Sequence, residues 1–123
     1  MAGYVGWNMA LDPEGGPRWC AGKADAPIVV DASKQEYYKQ PAFYVFGHFS
    51  KFLVPDSVRI SITEDKKLPK VWSTAFERPD GAVVVIVYNQ SGDTVQFTLK
   101  EGDQHVSHAL RPNAIQTYIY YTK

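Results

Sequence analysis

Side chains that could do chemistry are spread thinly along this 123-residue sequence. Glu14 has no second carboxylate at a spacing that suits paired acid–base chemistry, so it is interpreted as a solvated loop acid. His48 and Ser50 lie two apart on a predicted helix and point in different directions, which excludes a nucleophile–base pair. His105 and His108 lie three apart on a predicted strand and face opposite sides, which excludes a shared metal ion. These residues predict no catalytic constellation, no metal site and no cofactor.

Four other positions carry residue types that can have a functional or a structural role. Cys20 is the single cysteine, so it has no internal disulfide partner, and it is interpreted as a small apolar residue. Asn89 begins an N-x-S sequon at a predicted turn, which would be a glycosylation site if the protein is secreted. Trp72 alternates within a strand and is expected in the core. Trp7 stands at a strand end beside a loop, where it would serve as a sugar-stacking platform or, by default, as core.

The overall composition excludes several functional classes. Apolar residues make up 45% of the chain, which is enough for a folded core. Thirteen acidic and thirteen basic residues give a formal charge of zero, which argues against a nucleic-acid binder or a protein that relies on a charged membrane surface. No apolar run is long enough to span a bilayer, and the first residues have no charged region followed by an apolar one, so we expect no export signal in the chain as given.

The second half of the chain reads as all-β. Val58, Ile60 and Ile62 alternate with polar residues, as in a strand with one solvated face. The segment AVVVIVYN is apolar throughout, which predicts a central strand covered on both faces. About six strands with a turn every eight to twelve residues are typical of an antiparallel β-sandwich, and RPDG is a hairpin turn because Pro fixes φ and Gly accepts φ above zero.

The first half reads as strand, loop and helix. Residues 7–11 and the segment APIVVD are predicted strands separated by the turn-rich loop DPEGGP. Residues 33–36, SKQE, match a capping box ahead of a helix in which Pro41 occupies the first turn. Ala42, Phe46, Phe49 and Leu53 form one apolar stripe of that helix, and Pro55 ends it. The composition changes near this proline, so we expect two regions, 1–54 and 55–123. The first is too small to bury its own apolar stripe.

Long stretches of the chain resemble a known family. The segments WNMALDPEGGPRW, APIVVD and YYKQPAFYVFGHFSKF are similar to the C-terminal part of glucosylceramidases (acid β-glucosidases) of glycoside hydrolase family 30, and PDGAVVVIVYNQS is similar to a strand pair of that family. The resemblance implies that residues 1–54 are the last strand–loop–helix unit of a (β/α)8 barrel and that residues 55–123 are most of the β-sandwich that packs beside the barrel.

The resemblance also implies a function. The family hydrolyses glucosylceramide with retention, using two glutamates on earlier barrel strands, and this chain contains neither. Trp7 matches a tryptophan lining the glucose pocket, and Asn8 lies beside it at the active-site face, so both are expected to bind substrate. Gly22 stands where the family places a pocket-facing Asn. Asn89 is the candidate glycosylation site, and neither a metal nor a cofactor is expected.

The expected partners are the remainder of the glycosidase barrel and a β-glucoside or glucosylceramide. The family's sandwich also takes strands from the N-terminal end of the protein, so an isolated copy would expose sheet edges and self-associate or exchange strands. The location would be lysosomal or secreted for a eukaryotic parent. The alternative is an independent, non-catalytic β-sandwich that binds carbohydrate or a protein, although such a module has no use for the last unit of a barrel.

Overall fold

A computed structural model describes residues 3–122 of the chain. It divides into two compact units, Met1–Gly47 and His48–Lys123, which are called the first and the second unit below. Short strands and loops make up most of the first unit, and the second unit is predominantly β, with antiparallel sheets.

The first unit contains a three-stranded sheet and most of the only helix among the described residues. Strand β1 (Ala10–Leu11) runs parallel to β2 (Ile28–Asp31), and β3 (Glu36–Lys39) pairs with β2 in the antiparallel sense. Helix α1 (Pro41–Ser50) follows directly and crosses the boundary into the second unit. Proline suits the first position of this helix because its missing N–H has no partner there in any helix.

The capping-box prediction at residues 33–36 is wrong. These residues form a hairpin turn into β3, not the start of a helix. The carboxylate of Asp31 accepts a hydrogen bond from the Ser33 hydroxyl at 2.6 Å, and Gln35 adopts a positive φ of 56°. Because aromatic residues favour strands, Tyr37 and Tyr38 continue the hairpin, and the helix begins only at Pro41.

Two other expectations for the first half need correction. The strand predicted over residues 7–11 shortens to β1, because Asn8 has a φ of 62° and interrupts the extended backbone. The helix ends at Ser50, and a last turn continues with a hydrogen bond from the Leu53 amide to the Phe49 carbonyl at 3.0 Å. Ala42, Phe46 and Phe49 of the predicted stripe are exposed, in agreement with the expectation that the first region is too small to bury it.

Six strands make up the described part of the second unit. Their bounds are β4 (Val58–Ile60), β5 (Val71–Glu77), β6 (Ala82–Asn89), β7 (Val95–Glu101), β8 (Gln104–Leu110) and β9 (Ala114–Tyr121). The first sheet has the order β4-β5-β6-β9, and β7 pairs with β8 in a second, two-stranded sheet. The predicted antiparallel sandwich is confirmed, and Ile62 falls outside β4.

The core of the second unit lies between the two sheets. Val83, Val85 and Val87 point to one face of β6 and pack with Ala75 and Leu110. Residues 82–87 of β6 are buried on both faces, as predicted for an uninterrupted apolar strand. The prediction for Trp72 is wrong, because its side chain is 60% exposed near one end of β5.

Candidate functional site

The DPEGGP loop after β1 is closed on itself by one carboxylate. Asp12 Oδ1 accepts hydrogen bonds from the amides of Glu14 at 2.9 Å and Gly16 at 2.7 Å. The Asp12 amide in turn donates to the Gly16 carbonyl at 2.8 Å. An Asp side chain that bonds to the following backbone in this way fixes a turn without help from the rest of the protein. The loop is therefore rigid because of its own sequence.

Both glycines of the loop are closely packed. Gly15 has a φ of 76°, and a Cβ at this position would lie 2.5 Å from the carbonyl oxygen of Ala24. A Cβ on Gly16 would lie 2.9 Å from the Asp12 carboxylate. At position 15 only glycine combines the left-handed conformation with such a close approach. The loop is thus packed against the segment that leads into β2.

The segment beyond the loop projects outward. Arg18 Nη1 donates a hydrogen bond to the Glu14 carbonyl at 2.6 Å, and the following residues, Trp19 to Lys23, are all exposed. Gly22 has a φ of 122°, and a Cβ at this position would have no other atom within 4 Å. An Asn at this position, as the family resemblance implies, would need a different backbone conformation. Cys20 is a free, exposed thiol in the same segment.

Trp7 and Asn8 precede β1. The indole of Trp7 is 88% exposed, so it is not a core residue of the first unit. Asn8 is half-buried, and its left-handed backbone turns the chain between Trp7 and the strand. An exposed indole next to an amide offers an apolar face and hydrogen-bonding groups on adjacent residues, which is the combination that a sugar ring needs.

Large apolar side chains are exposed along much of the first unit. They come from the segment before β1, the projecting segment, the β2–β3 hairpin and the helix, and they are Tyr4, Val5, Trp7, Met9, Trp19, Val30, Tyr37, Tyr38, Tyr44, Val45 and Phe46. Ring stacking between Tyr4 and Phe46, with centroids 5.3 Å apart, covers only part of this surface. So many exposed large apolar side chains are unusual for a unit that is stable alone, and Trp7 and Trp19 are almost fully exposed.

Asn89 has a structural role that sequence reasoning missed. Its side chain is fully buried, and Nδ2 donates to the carbonyls of Asp93 at 2.8 Å, Arg111 at 3.0 Å and Leu110 at 3.2 Å. Oδ1 accepts from the Ser91 amide at 2.9 Å and from the Ser91 hydroxyl at 2.6 Å. An amide engaged in this way has no room for a glycan in the folded chain, which runs against its interpretation as a glycosylation site.

The other sequence candidates are not brought together. Glu14 is exposed in the DPEGGP loop, and His48 lies in the second unit, where its Nδ1 is 2.7 Å from the hydroxyl of Thr117. His108 packs edge-on to Phe97, on the side of β8 opposite to His105, as the spacing predicts. Among residues 3–122, no three metal-ligating side chains cluster.

No helix in that range has the length and apolar character needed to cross a membrane.

Two family models match different parts of the chain. Residues 1–53 match the TIM-barrel domain of glycosyl hydrolase family 30, and residues 56–118 match the β-sandwich domain of the same family. The strand, loop and helix thus correspond to part of a TIM barrel, and the antiparallel sandwich that follows corresponds to the second domain of the same glycoside hydrolase family. The chain belongs to glycoside hydrolase family 30.

The chain is similar to curated proteins of the family over nearly its whole length. The mouse lysosomal acid glucosylceramidase is 40% identical over 121 residues, which are 98% of this chain and 23% of the relative. Putative glucosylceramidase 2 of Caenorhabditis elegans is 37% identical over 122 residues, covering 95% of this chain and 23% of the relative. The chain thus spans about a quarter of the length of the curated relatives it matches.

Solved structures share the fold. SrfJ from Salmonella typhimurium matches 95% of this chain and 26% of its own chain, with a TM-score of 0.89 and 26% identity. The endo-β1,6-glucanase BT3312 matches 94% of this chain and 26% of its own chain, with a TM-score of 0.85 and 22% identity, which establishes a common fold.

Proposed function

We propose that the chain is the C-terminal segment of a retaining β-glucosidase that acts on glucosylceramide-type glycolipids. The observation that carries this proposal is the exposed apolar surface of the first unit, in a segment that matches the barrel domain of the family. A barrel's last strand–loop–helix has such a surface because neighbouring strands and helices cover it in the complete barrel. The names of the glucosylceramidase relatives support the substrate class.

In this proposal Trp7 and Asn8 line the glucose pocket. The apolar face of the pyranose stacks on the exposed indole, and the Asn8 amide offers a donor and an acceptor for sugar hydroxyls. The rigid DPEGGP loop holds the projecting segment at the carboxyl end of the barrel strand, where active sites of this fold gather. The contribution of this chain is therefore to bind and orient the sugar.

The bond-breaking groups come from elsewhere in the parent enzyme. Retention requires one carboxylic acid to protonate the leaving oxygen and a second carboxylate, about 5–5.5 Å away, to form a glycosyl-enzyme. We infer that both glutamates lie on earlier barrel strands and that no Glu of this chain replaces them. The 123-residue chain alone is expected to be inactive.

The proposal assigns residues 1–54 to the barrel and residues 55–123 to the accessory sandwich. The partners are the remainder of the barrel and the glycolipid substrate. For a eukaryotic parent the location is lysosomal or secreted, by analogy with the lysosomal mouse relative.

A chimaera provides the test. The matching quarter of the mouse enzyme is replaced by this chain, and turnover of a fluorogenic β-glucoside is measured. We expect activity from the chimaera and none from the isolated chain. Trp7→Ala in the chimaera should lower kcat/KM by about 100-fold, because the stacking contact contributes about 2–3 kcal/mol to transition-state binding.

Trp72→Ala is the matched control, since it removes another exposed indole from the second unit and should leave kcat/KM unchanged. A folded but inactive chimaera would contradict the proposal, as would turnover by the isolated chain. Saturable binding of a glucoside to the isolated chain by calorimetry, without turnover, would instead favour a non-catalytic carbohydrate-binding module.

A further inference from the structure

The projecting segment, residues 19–23, returns to the fold through residues 24–27, which lead into β2. One side of this return is packed against the DPEGGP loop, because a Cβ on Gly15 would lie 2.5 Å from the carbonyl oxygen of Ala24. Ala26, two residues further on, is buried. Backbone groups of a buried segment need hydrogen-bond partners, so another element must supply them to this return.

Gln40 supplies those partners with its backbone and its side chain. Its amide donates to the Pro27 carbonyl at 2.9 Å, which extends the β2–β3 ladder by one step. Its Nε2 donates to the Ala26 carbonyl at 3.1 Å and to Asp25 Oδ1 at 2.8 Å. The same carboxylate oxygen accepts from the Ala26 amide at 2.9 Å. One residue thus bonds to three consecutive residues of the return.

The position of Gln40 joins the return to the start of the helix. Gln40 directly precedes α1, and its carbonyl accepts a hydrogen bond from the Phe43 amide at 3.0 Å. Among residues 3–122, no other side chain from outside residues 19–26 forms a hydrogen bond with that stretch. Without the Gln40 side chain, the return would be held on this side by the backbone bond alone.

We propose that Gln40 is a positioning residue, which sets where the projecting segment lies beside the glucose pocket by holding residues 25–27. This inference rests on the proposed function, in which the segment lies at the active-site face and Trp7 and Asn8 bind the sugar. In this role Gln40 touches neither the substrate nor the reacting atoms. Because the segment supplies no reacting group, its displacement weakens the binding of ground state and transition state alike.

Steady-state kinetics of the chimaera test this role. Gln40→Ala should raise KM for the fluorogenic β-glucoside by about tenfold and leave kcat within about twofold. An effect on folding alone would instead lower the fraction of active enzyme, which lowers the apparent kcat and leaves KM unchanged. Gln90→Ala is the matched control, since it removes the side-chain amide of an exposed glutamine in the second unit and should change neither constant.

An exchange of the two partners tests the hydrogen bond between Gln40 and Asp25. Gln40→Glu puts a second carboxylate beside Asp25, so it should raise KM at least as much as Gln40→Ala. Adding Asp25→Asn to that variant lets the introduced amide donate to the introduced carboxylate, which restores a hydrogen bond in the opposite direction. KM should then fall by at least about threefold relative to the Gln40→Glu variant.

Trypsin cleavage of the 123-residue chain gives a readout that needs no turnover. Lys23 is exposed and directly precedes the return, so cleavage after it reports how firmly the return is held. Gln40→Ala should increase the rate of this cleavage by at least about fivefold, whereas Gln90→Ala should not. Cleavage after Lys67, in an exposed loop of the second unit, is the internal reference and should stay unchanged.

The outcomes distinguish this inference from the proposed function. An inactive chimaera contradicts the proposed function, and the proteolysis then decides whether Gln40 holds the segment. With an active chimaera, an unchanged KM for Gln40→Ala would overturn the positioning role. So would the absence of recovery in the double variant, or equal cleavage after Lys23 with and without the Gln40 side chain.

Discussion

The imidazole Nδ1 of His48 and the hydroxyl of Thr117 lie 2.7 Å apart, joining two positions 69 residues apart in the sequence. Thr117 is opposite Ile86 in the β6–β9 ladder, so the contact fixes the end of the helix region to the middle of the sheet within the second unit. Partial burial of the ring lowers the pKa of His48, because the charged form loses hydration.

The lowered pKa of the half-buried His48 predicts an acid-sensitive stability. A histidine whose pKa is lower in the folded chain than in the unfolded chain stabilises the fold only above its unfolded pKa, which is about 6.5. That stability is lost as the pH falls from about 7 through the lower pKa of the folded state. His48→Gln should flatten the pH dependence of the free energy of unfolding in this range, as measured by urea denaturation.

Thr117→Val tests whether burial of the His48 ring alone, without the Thr117 hydroxyl, causes the pH dependence. It removes the hydroxyl and leaves the ring buried, so the pH dependence should persist. An NMR titration in which His48 protonates at or above its ordinary pKa would contradict the argument.

Asp31 predicts a second pH effect, at lower pH. Hydrogen bonds from the Ser33 hydroxyl and from Lys34, with the charge of Lys34 at 2.9 Å, lower the pKa of Asp31 to about 2. The carboxylate therefore stabilises the hairpin above the unfolded pKa of about 3.9, and this stability is lost as the pH falls from about 4 to about 2. Asp31→Asn should remove that dependence in thermal unfolding curves, whereas Ser33→Ala should remove part of it. An unchanged curve for Asp31→Asn would refute this role.

Asn89 should be essential for the stability of the second unit. Asn89→Ala leaves the carbonyls of Asp93, Leu110 and Arg111 without their common donor inside the protein. We expect the free energy of unfolding to fall by about 2–4 kcal/mol, since several buried groups lose partners. Gln90→Ala, at the exposed neighbouring position, should change it by less than about 0.5 kcal/mol. Mass spectrometry of the chain secreted from a eukaryotic host should detect no glycan at Asn89.

Gly15→Ala tests the packing of the DPEGGP loop. The added methyl would collide with the Ala24 carbonyl in a backbone conformation that disfavours alanine, so we expect a loss of at least about 2 kcal/mol of stability. Gly92→Ala is the control, because a Cβ there has open space and φ is not positive. Chemical denaturation of both variants by circular dichroism gives the comparison. Equal stabilities would show that the loop can shift.

Local signals predict the second unit well. The apolar run of residues 82–89 and the RPDG turn determine the central hairpin almost without tertiary context, because burial on both faces and φ at Gly81 are properties of those residues. The prediction at residues 33–36 fails for the opposite reason. The same Ser and Glu suit a helix start or a hairpin, and pairing of Tyr37 and Tyr38 with β2 decides between them.

The sequence indicates which residue types form the candidate site, but not how exposed those residues are or what they contact. The sequence indicates Trp7 as a position for sugar stacking or core packing, and its exposure can be seen only in the structure. At Asn89 the sequon is the obvious signal, although Asn followed two residues later by Ser is also the signature of a side-chain turn. The sequence also contains a signal for the way in which Asp12 closes the DPEGGP loop, namely the pattern Asp-Pro-x-Gly-Gly.

The exposure of Trp7 and Trp19 has an optical consequence. Two of the three indoles lie almost entirely in water and the third, Trp72, is more than half exposed, so the isolated chain should emit near the wavelength of free tryptophan. Covering of the first unit by a complementary polypeptide would shift that emission to the blue. The chain therefore contains its own fluorescent reporter of assembly.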